Sequence, residues 1–350
     1  MSLVTVWFVL VGAMLATYVV LDGFDFGVGI LHLLVARNDA ERRCVLRSIG
    51  PVWDGNEVWL LAAAGSLFLA FPRLLATSFS GFYLPLIMVV WLLLFRALGI
   101  ELRHQVDHPL WTQFWDAAFA GASLLLAVFF GAALGNVVRG VSIDESGRFF
   151  APLWTDFLVG ETTGILDWYT VLVAVTVTVA VAMHGGLWLA WRTIGAMRDR
   201  AERLVIGLWP AVLGLAVITM ATTLWVQPRV LENVSAHPWG AAFPLAALAS
   251  LAAVRGSLRR GTRRTSFLAS CGYLVGMLAS AAFGVYPMLL PARDPARSLT
   301  IENAAAAPYG LSVALYWWIP GMILALTYLY VLYSRLPETF RPDDGAHREA

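Results

Sequence analysis

Nine stretches of this chain are apolar for long enough to cross a lipid bilayer, and no other feature limits the fold as tightly. They lie at about 3–36, 54–71, 77–98, 114–138, 164–191, 204–226, 239–254, 265–291 and 309–334. A crossing helix needs roughly 20 residues at 1.5 Å rise each. The composition agrees: 59% of the residues are hydrophobic and 13% charged, with mean hydropathy +0.72, whereas soluble domains average roughly 25% charged residues. The first run lacks a basic leader, and its apolar part, Leu3 to Val20, is too long for the core of a signal peptide, so it reads as the first crossing. At about 34 residues it would form a helix near 50 Å long against a hydrocarbon core of about 30 Å. It therefore has to tilt, bend near Gly23, Gly27 and Gly29, or project beyond the bilayer.

Other classes are excluded quickly. Cys44 and Cys271 are the two cysteines and form no C-x-x-C pair, so zinc, iron–sulfur and disulfide frameworks find no support. Net charge is +1, which gives no reason to expect a nucleic-acid partner. No Walker loop, dinucleotide-binding glycine pattern or nucleophile elbow occurs.

Orientation follows from the arginines, since the chain has no lysine. The loops after runs one, three, five and seven, with the C-terminal tail, carry 18 of them, and the opposite side carries 6. This split puts the N-terminus outside and the C-terminus in the cytoplasm. The cluster Arg255, Arg259, Arg260, Arg263 and Arg264 reads as a cytoplasmic loop near anionic headgroups. Segments 139–163 and 291–308 read as external loops. Residues 1–338 form a single polytopic membrane domain, and 339–350 read as a disordered cytoplasmic tail.

An ionisable group at membrane depth is costly and is a functional candidate by default. Asp22 and Asp25 are three apart and share a helix face, and Gly29 and His32 extend the stripe. The second run enters through Trp53-Asp54-Gly55-Asn56-Glu57-Val58-Trp59, where Asp54 and Glu57 are again three apart. If these spans pack together, four carboxylates line one route inward from the cytoplasm, and burial and mutual repulsion suit such groups to taking up and releasing protons. The same pattern arises when span-end carboxylates cap helices or pair with Arg42, Arg43 or Arg96. His184, in Val181-Ala182-Met183-His184-Gly185-Gly186, sits mid-span. A histidine there suits haem ligation, proton carriage or quinone contact, but no second histidine lies at matching depth. The residues alone support a cytoplasm-facing proton route and do not name a reaction.

At these acidic segments the chain resembles subunit II of cytochrome bd-type quinol oxidase. The resemblance rests on Asp22-Gly23-Phe24-Asp25-Phe26-Gly27-Val28-Gly29, on Arg37-Asn38-Asp39-Ala40-Glu41-Arg42-Arg43, on Trp53-Asp54-Gly55-Asn56-Glu57-Val58-Trp59-Leu60 and on Phe79-Ser80-Gly81-Phe82-Tyr83. Phe95-Arg96, Trp115-Asp116 and Gly135-Asn136 also fit, and Arg192-Thr193, Tyr286-Pro287 and Ser298-Leu299-Thr300-Ile301 match more loosely. Between about 205 and 280 the match is mainly one of hydropathy. The chain departs from the family pattern in a short external loop after the sixth span and in the alanine run after Glu302-Asn303.

The resemblance implies an all-α integral membrane protein of about nine transmembrane helices in two four-helix bundles plus a peripheral helix. The first bundle would span about 1–139, and the second about 164–335 with the peripheral helix. It implies a partner, the haem-bearing subunit I, with which quinol is oxidised and oxygen reduced to water without a pump. The b-type haems and haem d would sit on subunit I, so no cofactor is expected on this chain beyond a structural quinone or lipid. His184 sits where some members have Gln, which speaks against an indispensable ligand. A small single-span accessory subunit and membrane lipids complete the expected partners, in a bacterial cytoplasmic membrane. Asp25 and Asp54 become the principal proton-path residues, Asp22 and Glu57 secondary ones, with Trp53, Asn56 and Arg96 shaping the mouth. Two rival readings are a proton-coupled secondary transporter and a cytochrome carrying its own haem. The acids cluster near one mouth instead of recurring at the midplane of both halves, and paired axial ligands are not found.

Overall fold

Inside a bilayer each backbone N–H and C=O must be satisfied within its own segment, so long apolar runs become helices. In the computed structural model, which describes residues 2–160 and 163–342, twelve α-helices follow in order. They are α1 (Leu3–Val35), α2 (Asp39–Ile49), α3 (Trp53–Ala70), α4 (Pro72–Gly81), α5 (Tyr83–Glu101), α6 (Pro109–Arg139), α7 (Trp168–Arg192), α8 (Gly195–Val226), α9 (Arg229–Ala236), α10 (Ala242–Arg259), α11 (Arg263–Val285) and α12 (Pro308–Ser334). Eight helical segments are long and apolar enough to cross a bilayer, and α3 with α4 makes a ninth, bent by 117°. The bend falls at Phe71, just before Pro72, whose fixed φ suits the first position of α4. The run expected to start at 77 is therefore divided: its first residues finish α4, and the crossing begins at Tyr83.

The helices α1, α3, α5 and α6 pack as one group, and α7, α8, α10 and α11 as another. The two groups meet where α7 packs on α1 and α6. The outer helix α12 leans on α1 and α3 of the first group, although the sequence placed it with the second. Trp7 Nε1 donates to the Leu311 carbonyl at 3.1 Å, and Tyr333 at the far end reaches Trp188 of α7 with ring centroids 6.5 Å apart.

α1 is one unbroken helix, so its glycines do not bend it. They allow close approach instead. A Cβ on Gly27 would lie 2.1 Å from the Val181 carbonyl oxygen, and one on Gly29 would lie 2.0 Å from Ser123 Oγ. The crossing with α7 thus runs backbone to backbone, as small residues permit in membrane bundles.

At one end of the bundle, a short antiparallel pair of Met288–Leu290 (β1) and Leu299–Thr300 (β2) packs with Val141, Ile143 and Phe149, and Arg139 pairs with Asp167. At the other end α2 lies across the helix termini, tied to α8 by Arg200, which donates to Glu41 Oε2 at 2.5 Å and to the Val35 carbonyl at 2.6 Å. The tail expected to be disordered from 339 is ordered at its start. Phe340 is buried, its N–H donates to the Arg192 carbonyl at 2.8 Å, and Arg47 donates to the Arg341 carbonyl at 2.8 Å. Residues 343–350 of that tail lie outside the described residues.

Candidate functional site

α1 carries Asp22 and Asp25 one helical turn apart, and both are fully buried. α5 brings Arg96 against them, also fully buried. Its Nη1 donates to Asp22 Oδ1 at 2.5 Å, its Nη2 donates to Glu57 Oε2 at 2.8 Å, and its guanidinium lies 4.7 Å from the Phe26 ring centroid. One planar cation therefore joins α5 to both α1 and α3, the two-pronged geometry for which arginine is suited. Asp25 is held differently. Its Oδ2 accepts from Asn56 Nδ2 at 2.8 Å, and Asn56 Oδ1 accepts from the Tyr333 hydroxyl at 2.7 Å, so α1, α3 and α12 are linked through neutral groups.

Among the described residues, Asp25 Oδ1 and Asp22 Oδ2 are buried without a hydrogen-bond partner. A buried carboxylate oxygen left unpaired is expensive, so such a group is rare unless something else visits it. A proton or a water molecule is the smallest visitor that satisfies it.

Of the residues singled out from the sequence, Asp22, Asp25, Asn56, Glu57 and Arg96 come together. Asn56 and Arg96, expected at the mouth, are instead fully buried and bond the carboxylates directly. Glu57 is the member that reaches outward, with 24% of its side chain exposed. Trp53 packs partly buried against the core at the start of α3. Asp54 faces outward and is exposed, on the side of α3 away from Asn56. Two residues along a helix means about 200° of rotation, so Asn56 inside puts Asp54 outside.

His184 lies apart from this cluster. It is fully buried, its Nε2 donates to the Val20 carbonyl at 2.9 Å, and its Nδ1 is 2.6 Å from Ser270 Oγ. Its ring stacks on Phe267 at 4.8 Å. Both nitrogens are engaged within the chain.

A second buried cluster was missed in the sequence. Asp116, near the start of α6, is contacted by His32 Nε2 at 2.7 Å, and it accepts from Arg42 at 3.0 Å and from Arg103 at 2.6 Å and 3.1 Å. Arg103 also donates to Asp39 at 2.7 Å. Tyr333 was missed too. The stripe from Asp25 through Gly29 to His32 was a signal for the former; for the latter, 277 residues from Asn56 in sequence, there was none. Among the described residues, no group of three or more His, Cys, Asp or Glu is arranged to hold a metal ion.

Comparison with known proteins gives this architecture its relatives. The family model described as "Cytochrome bd terminal oxidase subunit II" matches residues 3–336. The "Cytochrome bd ubiquinol oxidase subunit 2" of Bacillus subtilis is 30% identical over 346 residues, covering 95% of this chain and 96% of the relative. The "Probable cytochrome oxidase subunit 2" of Haemophilus influenzae is 30% identical over 357 residues, covering 95% and 93%. A chain of the bd oxidase structure from Geobacillus thermodenitrificans superposes with a TM-score of 0.74 at 19% identity, over 95% of this chain and 98% of that one, and so shares the fold. The shared fold and the match across nearly the whole length agree: this chain belongs to the cytochrome bd terminal oxidase subunit II family.

Proposed function

We propose that this chain is the haem-free half of a quinol:oxygen oxidoreductase and that its acidic cluster carries protons inward from the cytoplasm. Membership of a terminal oxidase family makes the chain an oxidoreductase subunit and does not favour the transporter reading. The route runs from exposed Asp54, through partly exposed Glu57, to the Arg96-bound Asp22 and then to Asp25. The carrying observation is Asp25, fully buried, bonded on one oxygen by a neutral amide and unpartnered on the other. A carboxyl group so held gains and loses a proton without breaking a salt bridge, which is what a relay requires. Arg96 takes one oxygen each of Asp22 and Glu57, and the other oxygen passes the proton on toward Asp25 with the ion pair kept.

The orientation, with the C-terminus cytoplasmic, rests on the arginine distribution. The acids then lie toward the side from which protons are consumed. The haem-bearing partner would cover the outward face of α3 and α5, where Asp54 stands among Val58, Leu61, Leu84 and Trp91, all at least half exposed. Burial of Asp54 by that partner completes the path.

His184 does not fit a haem, because it uses both ring nitrogens within the chain. This supports haems carried by the partner, and no step is routed through a haem here. An apolar cavity of about 590 Å³ between the two helix groups, lined by Tyr18, Phe130, Thr176, Thr219 and Met277, supports a long apolar tail held in this chain, from a structural quinone or a lipid.

The test uses the assembled complex. Asp25→Asn and Asp54→Asn should assemble with full haem content yet take up oxygen slowly with quinol as donor. Normal turnover in both would end the relay reading, and failure to assemble would make the carboxylates structural. A Soret band from this chain purified alone would overturn the haem-free assignment.

A further inference from the structure

Away from the acidic cluster, α8 and α10 leave an open groove of about 470 Å³ between them, lined by Ile206, Trp209, Pro210, Ala252, Gly256 and the arginines Arg255 and Arg259. The groove changes character along its length. On α10 the exposed positions Leu245, Ala249 and Ala252 form one apolar stripe at helical spacing, and the stripe continues into Gly256 and Arg259. The tail end is thus apolar and the other end cationic. Trp209 marks the boundary, since its Nε1 donates to the Leu251 carbonyl at 2.8 Å while the Arg255 guanidinium lies 5.8 Å from its ring centroid. Tryptophan takes this position at a membrane interface.

The two arginines have no acidic partner among the described residues, whereas nearby Arg263 is paired with Glu202 and Arg200 with Glu41. Cations left without a partner at the interface attract anionic headgroups. Pro210 adds a further polar feature, because it has no N–H to offer the Ile206 carbonyl one turn back. That leaves an acceptor suited to a headgroup hydroxyl. A cation pair over an apolar trough has the shape and charge of one phospholipid molecule, headgroup at Arg255 and Arg259, acyl chain along Leu245, Ala249 and Ala252.

We propose that the α8–α10 groove is a specific site for one anionic phospholipid, recognised by its phosphate charge and by its acyl chain together. The site is independent of the proton route and stands or falls separately from it. Gly256 lines the groove, and a Cβ added there meets no atom within 4 Å outside its chain neighbours, so a larger side chain takes up groove space while both arginine charges are kept.

The test titrates the purified, delipidated two-subunit complex with dioleoyl phosphatidylglycerol, counting bound lipid by native mass spectrometry. Dioleoyl phosphatidylcholine and inorganic phosphate serve as comparators. One phosphatidylglycerol should bind in preference to phosphatidylcholine. Each arginine removed should weaken it about five-fold, and Arg255→Gln with Arg259→Gln roughly 25-fold. Gly256→Leu should abolish that binding event with both charges intact, and Gly256→Ala should keep it. Equal retention of phosphatidylcholine, displacement by inorganic phosphate, or unchanged binding in both the double arginine variant and Gly256→Leu would each overturn the site.

Discussion

Two buried carboxylates mark the two polar clusters of the first helix group, and they are held in opposite ways. Asp116 has three cationic or potentially cationic partners, and both of its oxygens are engaged. Asp25 has one neutral partner and an unpaired oxygen. The first arrangement suits an anchor: it ties α1, α2 and α6 and the start of the 102–108 loop at one point. The second suits a group that changes state, because no ion pair has to be broken when a proton arrives. Asp22 stands between the extremes, with one oxygen on Arg96 and the other unpartnered. The number and charge of their partners, more than their depth, distinguish Asp116 from Asp25, and the proposed relay rests on that difference.

The largest effect should come from breaking the anchor. Asp116→Ala leaves Arg42, Arg103 and His32 without their common partner, and losing one side of a buried ion pair costs about 3–5 kcal/mol. Little complex should assemble, and what does should unfold at a clearly lower temperature; a normal yield and melting profile would remove the contrast drawn above. Next, Asp25→Asn should cut quinol-driven oxygen uptake by roughly a hundred-fold, within the usual range for a lost proton-transferring group. Its thermal unfolding should stay close to that of the parent, so a large loss of stability would class Asp25 with Asp116. Tyr333→Phe removes one hydrogen bond to Asn56 and should cost about 1 kcal/mol. Oxygen uptake should fall by less than in Asp25→Asn, and an equal fall would move the transferring group from Asp25 to Tyr333. The smallest change should be Asp39→Asn, at the rim of the anchor. Its carboxylate is half exposed and pairs with Arg43 and Arg103, so unfolding should shift by less than about 1 kcal/mol.

The crossings were legible in the sequence because the free energy of placing a residue in hydrocarbon depends mainly on its own side chain, so a run of apolar residues announces a span wherever it later packs. The same logic exposed Asp22 and Asp25, whose charge stands out against their neighbours. It failed at α4, where Pro72–Gly81 forms a helix of its own between the second run, which ends at 71, and a crossing that begins at Tyr83 and not at 77. It failed also for the glycines of α1. Their spacing reads equally as a hinge or as a contact surface, and the nearness of Gly185 on α7 decides for contact.

The acidic stripe shows the division most closely. That Asp22 and Asp25 share a face, and that Asp54 and Asn56 cannot, follows from helical geometry alone. Which face of α3 turns inward does not, because it depends on α1 and α12 packing against it from far away in sequence. So the sequence by itself determined a nine-span helical membrane protein with carboxylates in its first two crossings. Only the tertiary structure decided that Arg96 holds Asp22 and Glu57, that Asn56 and Tyr333 hold Asp25, and that Asp54 looks outward. Solvation is a property of each residue and can be read in order along the chain; ion pairs and hydrogen bonds form between residues 31 to 277 positions apart and exist once the helices are in place.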